Sequence, residues 1–162
     1  MKIIIGASKN NNLGSKLIQW WENSKYSHVY IRWHLHTQDR EIIYQASHGM
    51  VHFLEFSNFK KHNKIVTEIS LEITTEQFVK LTQKCIDYAG KPYSKLELLQ
   101  IWLSDVSDSK VKVKDRKGFI CSELLGALLV ELNITFQKPL YLLTPKDIME
   151  ALEANYGKNH TQ

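Results

Sequence analysis

Residues 27–47 read "SHVYIRWHLHTQDREIIYQAS". Along the first half, Val29, Ile31, Trp33 and Leu35 alternate with His28, Tyr30, Arg32 and His34. A period of two, carried by β-branched and aromatic residues, predicts a strand with one face turned to a core. "TQDR" at 37–40 is turn-forming and "EIIYQAS" resumes an apolar strand, so the stretch predicts an antiparallel hairpin. Helical patterns lie on either side of it. The fold class expected is therefore α+β, an antiparallel sheet packed against helices.

Working outward, "KIIIGAS" at 2–8 reads as a short strand. "LGSKLIQWWENS" at 13–24 reads as a helix with Leu13, Leu17 and Trp20 or Trp21 at helical spacing, and core packing is the expected role of the Trp pair. "KIVTEISLEI" at 64–73 is strand-like. In "TTEQFVKLTQKCIDYAG" at 74–90, Thr74 and Gln77 form a capping pair, and Gly90 ends the helix ahead of Pro92. Ser94 and Glu97 repeat that pair before "LELLQIWL", and "DSKVKVKDRKG" at 108–118 is a basic loop or edge strand. Thr144-Pro145 opens a last short helix, "PKDIMEALEA".

The 162 residues read as a single domain, 1–162, large enough to bury roughly 70% of its unfolded surface. Apolar residues make up 43% and charged residues 23%, so no disulfide or metal is needed to hold a core. A net charge of +4 suits an anionic surface or substrate and is too small to signal nucleic acid. No apolar run approaches the roughly 20 residues of a membrane span, and the opening "MKIII" is too short for a signal-peptide core. The expectation is a cytoplasmic chain, with release by lysis or delivery by a partner left open.

Two cysteines stand in different settings. Cys85 shares a helical stripe with Phe78 and Leu81 and reads as core. Cys121, in "RKGFICSELLGALLVEL" at 116–132, begins an apolar helix that buries Leu124, Leu125, Leu128 and Leu132 and ends near Asn133. A helix N-terminus favours a thiolate and offers N–H groups to an oxyanion, although Glu123 in the first turn opposes ionisation. By spacing alone, a core thiol and a nucleophile remain equal readings of Cys121. His34 and His36 form an H-x-H pair, but without further paired ligands they read as solvated turn residues, and no metal is expected. "GASKNNNLGSK" lacks the spacing of a phosphate loop, so no cofactor is expected there either. Lys110, Lys112, Lys114, Arg116 and Lys117 read as a solvated basic stripe.

Taken in order, "YSHVYIRW", "EIIYQASHG", "GKPYS" and "FICSELLGALL" resemble the NlpC-like branch of papain-fold cysteine hydrolases. The histidine half precedes the cysteine half. That order resembles the circularly permuted branch, which includes YiiX-like proteins and relatives of lecithin:retinol acyltransferase, and the likeness runs over residues 3–148. The resemblance implies a permuted papain-like fold with Cys121 as nucleophile, His28 as general base and Gln45 orienting the imidazole. Tyr93 and Ser122 are implied as neighbours of the cysteine, with His48 as the alternative orienter. Relatives more often carry Glu or His at the position of Gln45, and a neutral amide stabilises an imidazolium less. The implied activity is cleavage of amide bonds through an acyl-enzyme, with bacterial cell-wall peptide (peptidoglycan) as substrate. The alternatives are a lipid-ester acyltransferase or thioesterase of the same fold and a catalytically weak binding module.

Overall fold

A computed structural model describes residues 1–93 and 118–156. The capping pair at Ser94 and Glu97, the "LELLQIWL" helix and the basic stripe lie outside the described residues.

The predicted hairpin forms as β2 (His28–Leu35) and β3 (Arg40–Ser47). It is joined by β1 (Lys2–Lys9), β4 (Met50–Glu55) and β5 (Lys64–Glu72) in a five-stranded sheet of order β4-β3-β2-β1-β5. Every neighbouring pair is antiparallel. The helices are α1 (Leu13–Trp21), α2 (Phe56–Lys60), α3 (Thr75–Tyr88), α4 (Cys121–Val130) and α5 (Pro145–Tyr156), with a 3-10 turn at Leu140–Leu142.

Strand alternation sorts the side chains into two layers. Ile3, Ile5, Ala7, Val29, Ile31, Trp33, Tyr44 and Ala46 face the main core with α3, α4 and α5. On the opposite face, Tyr30 and Ile43 pack against Phe56 and Phe59 of α2. That polar-looking side of β2 is thus covered, a feature the alternation did not reveal. Arg32 is buried there, held by Glu68 through Nε and Nη2, both at 2.8 Å, and by Glu41. Its guanidinium lies 4.3 Å from the centroid of Phe56, and Tyr30 Oη donates to Glu68 at 2.7 Å. Gly6 is required beneath this cluster, because a Cβ there would stand 2.2 Å from the Tyr30 ring.

The capping pair of Thr74 and Gln77 forms as a reciprocal box, and Thr144 and Asp147 make a second one before α5 that had not been expected. Helix α4 is apolar on nearly every side, and Leu124, Leu125, Leu128 and Leu129 are all buried. Each such leucine contributes about 1.5–3 kcal/mol of burial. Gly126 lets the Leu140–Leu143 turn approach, since a Cβ would stand 2.6 Å from Leu143.

Helix α1 departs from expectation. Leu13, Leu17 and Trp20, the presumed inward stripe, are 86%, 50% and 75% exposed. The small Ser15 is what the helix buries instead. Asn12, within the tested phosphate-loop segment, serves as its N-cap by accepting the Ser15 N–H at 2.7 Å.

Candidate functional site

Cys121 is the first residue of α4 and only 5% exposed. The preceding Ile120 is extended and caps nothing with its side chain, so the amides of the first turn stay directed towards the sulfur. The N–H groups of Val29, Ser122 and Cys121 itself all bear on it. Burial is nonetheless the stronger influence and pushes the thiol up to about 11. Glu22 is a carboxyl that opposes its ionisation. Glu22 follows an apolar helix without any motif, and the sequence, which pointed to Glu123, did not single it out.

His28 Nε2 and the Gln45 side-chain amide share a hydrogen bond, with 2.7 Å between Nε2 and Oε1. Burial lowers the imidazole to about 4 against the opposing effect of that bond, and His48 and His52 lower it further. The His28 ring also lies 6.2 Å from that of Phe59, which places it on the α2 side of the sheet. Cys121, with Val29, belongs to the core on the other side. Sulfur and imidazole therefore approach the start of β2 from its two faces. The implied roles of nucleophile and general base call for hydrogen-bond reach between them; among the described residues no hydrogen bond joins them. The N–H of Val29, the residue that directly follows His28, favours the thiolate instead, without forming a hydrogen bond of good geometry.

Tyr93 lies beside the sulfur, where burial and then Cys121 raise its hydroxyl above the ordinary range. Its backbone bridges to Phe119, two residues before the cysteine. Ser122 contributes its N–H to the sulfur, while its buried hydroxyl donates to the Leu143 carbonyl and ties α4 to the 3-10 turn. His48 does not orient His28. It occupies the β3–β4 turn with φ +50, followed by Gly49 at φ +94, and bonds to Ser47 Oγ at 3.1 Å. Positive φ at both central residues is what a tight two-residue hairpin requires, and the backbone thereby carries the His48 ring away. The histidine that does reach Gln45 is His52, opposite it in the β3–β4 register, with 3.3 Å between Gln45 Nε2 and His52 Nε2.

Cys85 is fully buried, and its thiol is pushed up to about 12 by burial, as suits a core residue. His34 and His36 meet at 3.2 Å beside Asp39 in the exposed β2–β3 turn. Among the described residues, no group of three His, Cys, Asp or Glu side chains is arranged to hold a metal ion. A cavity of about 330 Å³ lies elsewhere, lined by Trp21, Glu22, Lys138, Thr144, Lys146, Asp147 and Glu150. It includes neither Cys121 nor His28. Burial there pushes Glu22 up to about 8, and the nearby Lys146 N–H lowers it without forming a hydrogen bond of good geometry.

The backbone architecture has a counterpart among solved structures. It resembles the crystal structure of the metalloprotein yiiX from Escherichia coli O157:H7. The TM-score is 0.59 at 21% identity, over 97% of this chain and 82% of that one. The chain has a YiiX-like α+β fold. No protein-family model matches it, and the comparison with curated proteins found no match. None of the described helices is long and apolar enough to cross a membrane.

The protonation states have a measurable consequence. With the thiol raised to about 11 and the imidazole lowered to about 4, both groups are neutral between those limits. At neutral pH, the ultraviolet difference spectrum between wild type and Cys121→Ala is expected to lack a thiolate band. The band should emerge as pH approaches about 11. A full band at neutral pH would instead indicate a thiolate–imidazolium pair.

Proposed function

We propose that this chain is a cysteine hydrolase that cleaves amide bonds through an acyl-enzyme on Cys121, on a permuted papain-like arrangement with cell-wall peptide as its substrate. The observation that carries the reading is the position of the sulfur. It stands at the head of α4, where three backbone N–H groups favour its thiolate, one of them from the residue that follows a histidine already bonded to an amide.

The reaction uses a neutral pair. For the reaction the start of β2 has to rearrange so that His28 Nδ1 reaches the sulfur and takes the thiol proton as the sulfur attacks the carbonyl carbon. The N–H groups of Cys121 and Ser122 hold the developing oxyanion. The C–N bond breaks, and His28 returns the proton to the leaving nitrogen. Water then attacks the thioester, gives its proton to His28, and the thiol re-forms as the carboxylic acid leaves. The neighbour yiiX is a metalloprotein, but the described side chains here do not supply a metal-binding group, and no step runs through one. The test is acyl trapping: p-nitrophenyl acetate should leave one acetyl group on Cys121, and a chain that never carries it is not this enzyme.

A second reading, acyl transfer at a lipid surface, is favoured by α1. Its exposed Leu13, Leu17 and Trp20 are accompanied by exposed Lys16, a combination suited to anionic bilayers. Co-sedimentation with phosphatidylserine vesicles at low salt, weakened by Trp20→Ser, is its expected result. Absence of binding at low salt rules it out.

A further inference from the structure

We propose that His52 is a positioning residue that decides which nitrogen of His28 carries the proton, acting through the amide of Gln45. The benefit to turnover rests on the hydrolase reading; the proton arrangement does not.

The argument follows donors and acceptors along one chain of contacts. The tight turn at His48-Gly49 pairs Ser47 with Met50, Ala46 with Val51 and Gln45 with His52. His52 Nδ1 lies 3.2 Å from the Met50 carbonyl, which can only accept, so Nδ1 carries the hydrogen. A neutral imidazole has one N–H, which leaves His52 Nε2 as an acceptor. The group that meets it at 3.3 Å must therefore be the NH₂ of Gln45. The amide oxygen then faces His28 Nε2 at 2.7 Å, and that nitrogen must carry the hydrogen. His28 Nδ1 is left with its lone pair, the form a base needs.

Gln45 cannot impose this by itself. A carboxylate accepts from either side and would settle the tautomer alone, whereas an amide turned by 180° serves the opposite tautomer equally well. His52 removes that degeneracy, because only one orientation of the amide satisfies it. His52 is half-buried on β4 at the sheet edge, so it can be exchanged without opening the core.

The experiment replaces His52 by side chains of fixed polarity and reads the His28 tautomer by ¹⁵N NMR of histidine-labelled full-length protein. Wild type and His52→Glu, which only accepts, should both hold His28 as Nε2–H. His52→Lys, which only donates, should reverse the amide and give Nδ1–H. With p-nitrophenyl acetate as probe, kcat should fall at least tenfold in His52→Lys and stay near wild type in His52→Glu, with matching thermal midpoints. A His28 tautomer that is the same in the Lys and Glu variants overturns the proposal, as does Nδ1–H in wild type. If the tautomer follows His52 while wild type shows no Cys121-dependent turnover, the positioning stands and the hydrolase reading falls. If Cys121-dependent turnover persists while the tautomer ignores His52, the positioning falls and the hydrolase reading stands.

Discussion

Cys121→Ala is expected to reduce p-nitrophenyl acetate turnover on the order of 10³-fold or more, to the background rate. The sulfur is the group the account asks to form a covalent bond, and nothing beside it can replace it. Ser122 points its hydroxyl at the Leu143 carbonyl, away from the α4 N-terminus. Cys85, with its thiol pushed to about 12, is sealed in the core. The exchange removes one buried sulfur, so the cost in stability is about 1 kcal/mol and the loss of rate cannot be assigned to unfolding. Steady-state kinetics on the folded variant check it, and turnover equal to wild type contradicts it.

Glu68→Ala is expected to destabilise the fold by about 3 kcal/mol, towards the lower end for breaking a buried ion pair. The carboxylate accepts from Arg32 Nε, Arg32 Nη2 and Tyr30 Oη at once. Removing it leaves a buried guanidinium whose remaining partner, Glu41, is 41% exposed in its side chain. Burial raises the Glu68 carboxyl, but the bonds from Arg32 and Tyr30 outweigh that and hold it below the ordinary range. Its contribution is therefore present at neutral pH and is lost as pH falls through the lowered folded-state value. Urea unfolding at neutral pH should show the full difference between wild type and variant, narrowing in acid. A difference under about 0.5 kcal/mol at neutral pH would place the pair among inconsequential surface ion pairs.

Much of the architecture was legible because its elements carry strong periods or caps. The 27–47 hairpin alternates cleanly, Thr74 and Gln77 mark a helix start, and Cys121 opens an apolar run. What escaped was set by tertiary packing. The segment "VHFLEFSNFKKH" holds both β4 and α2, yet it has neither a clean alternation nor a cap, since no side chain caps α2. Missing α2 hid the second apolar layer, which covers Tyr30 and Arg32. Helical spacing on α1 identified a stripe but could not say that it faces outward. Gln45 was recognisable as the partner of His28, whereas His52 was not. The signal for it was the His48-Gly49 dipeptide, which allows positive φ at two successive residues and brings residue 52 opposite residue 45. The same turn removes His48 from the site.

The expected pairing of Cys121 with His28 is not formed among the described residues. The two segments meet at the start of β2, but the strand separates ring and sulfur by face, a distinction that depends on where α4 docks. The hydrolase proposal requires a direct thiol–imidazole contact in the reacting complex.

The most direct measurement is the mass of the protein after brief exposure to p-nitrophenyl acetate and acid quench, followed by peptide mapping. The account predicts an increase of one acetyl group, located on Cys121 in wild type and missing in Cys121→Ala. Turnover with the acetyl group never found on Cys121, or found equally in the variant on another residue, would contradict it.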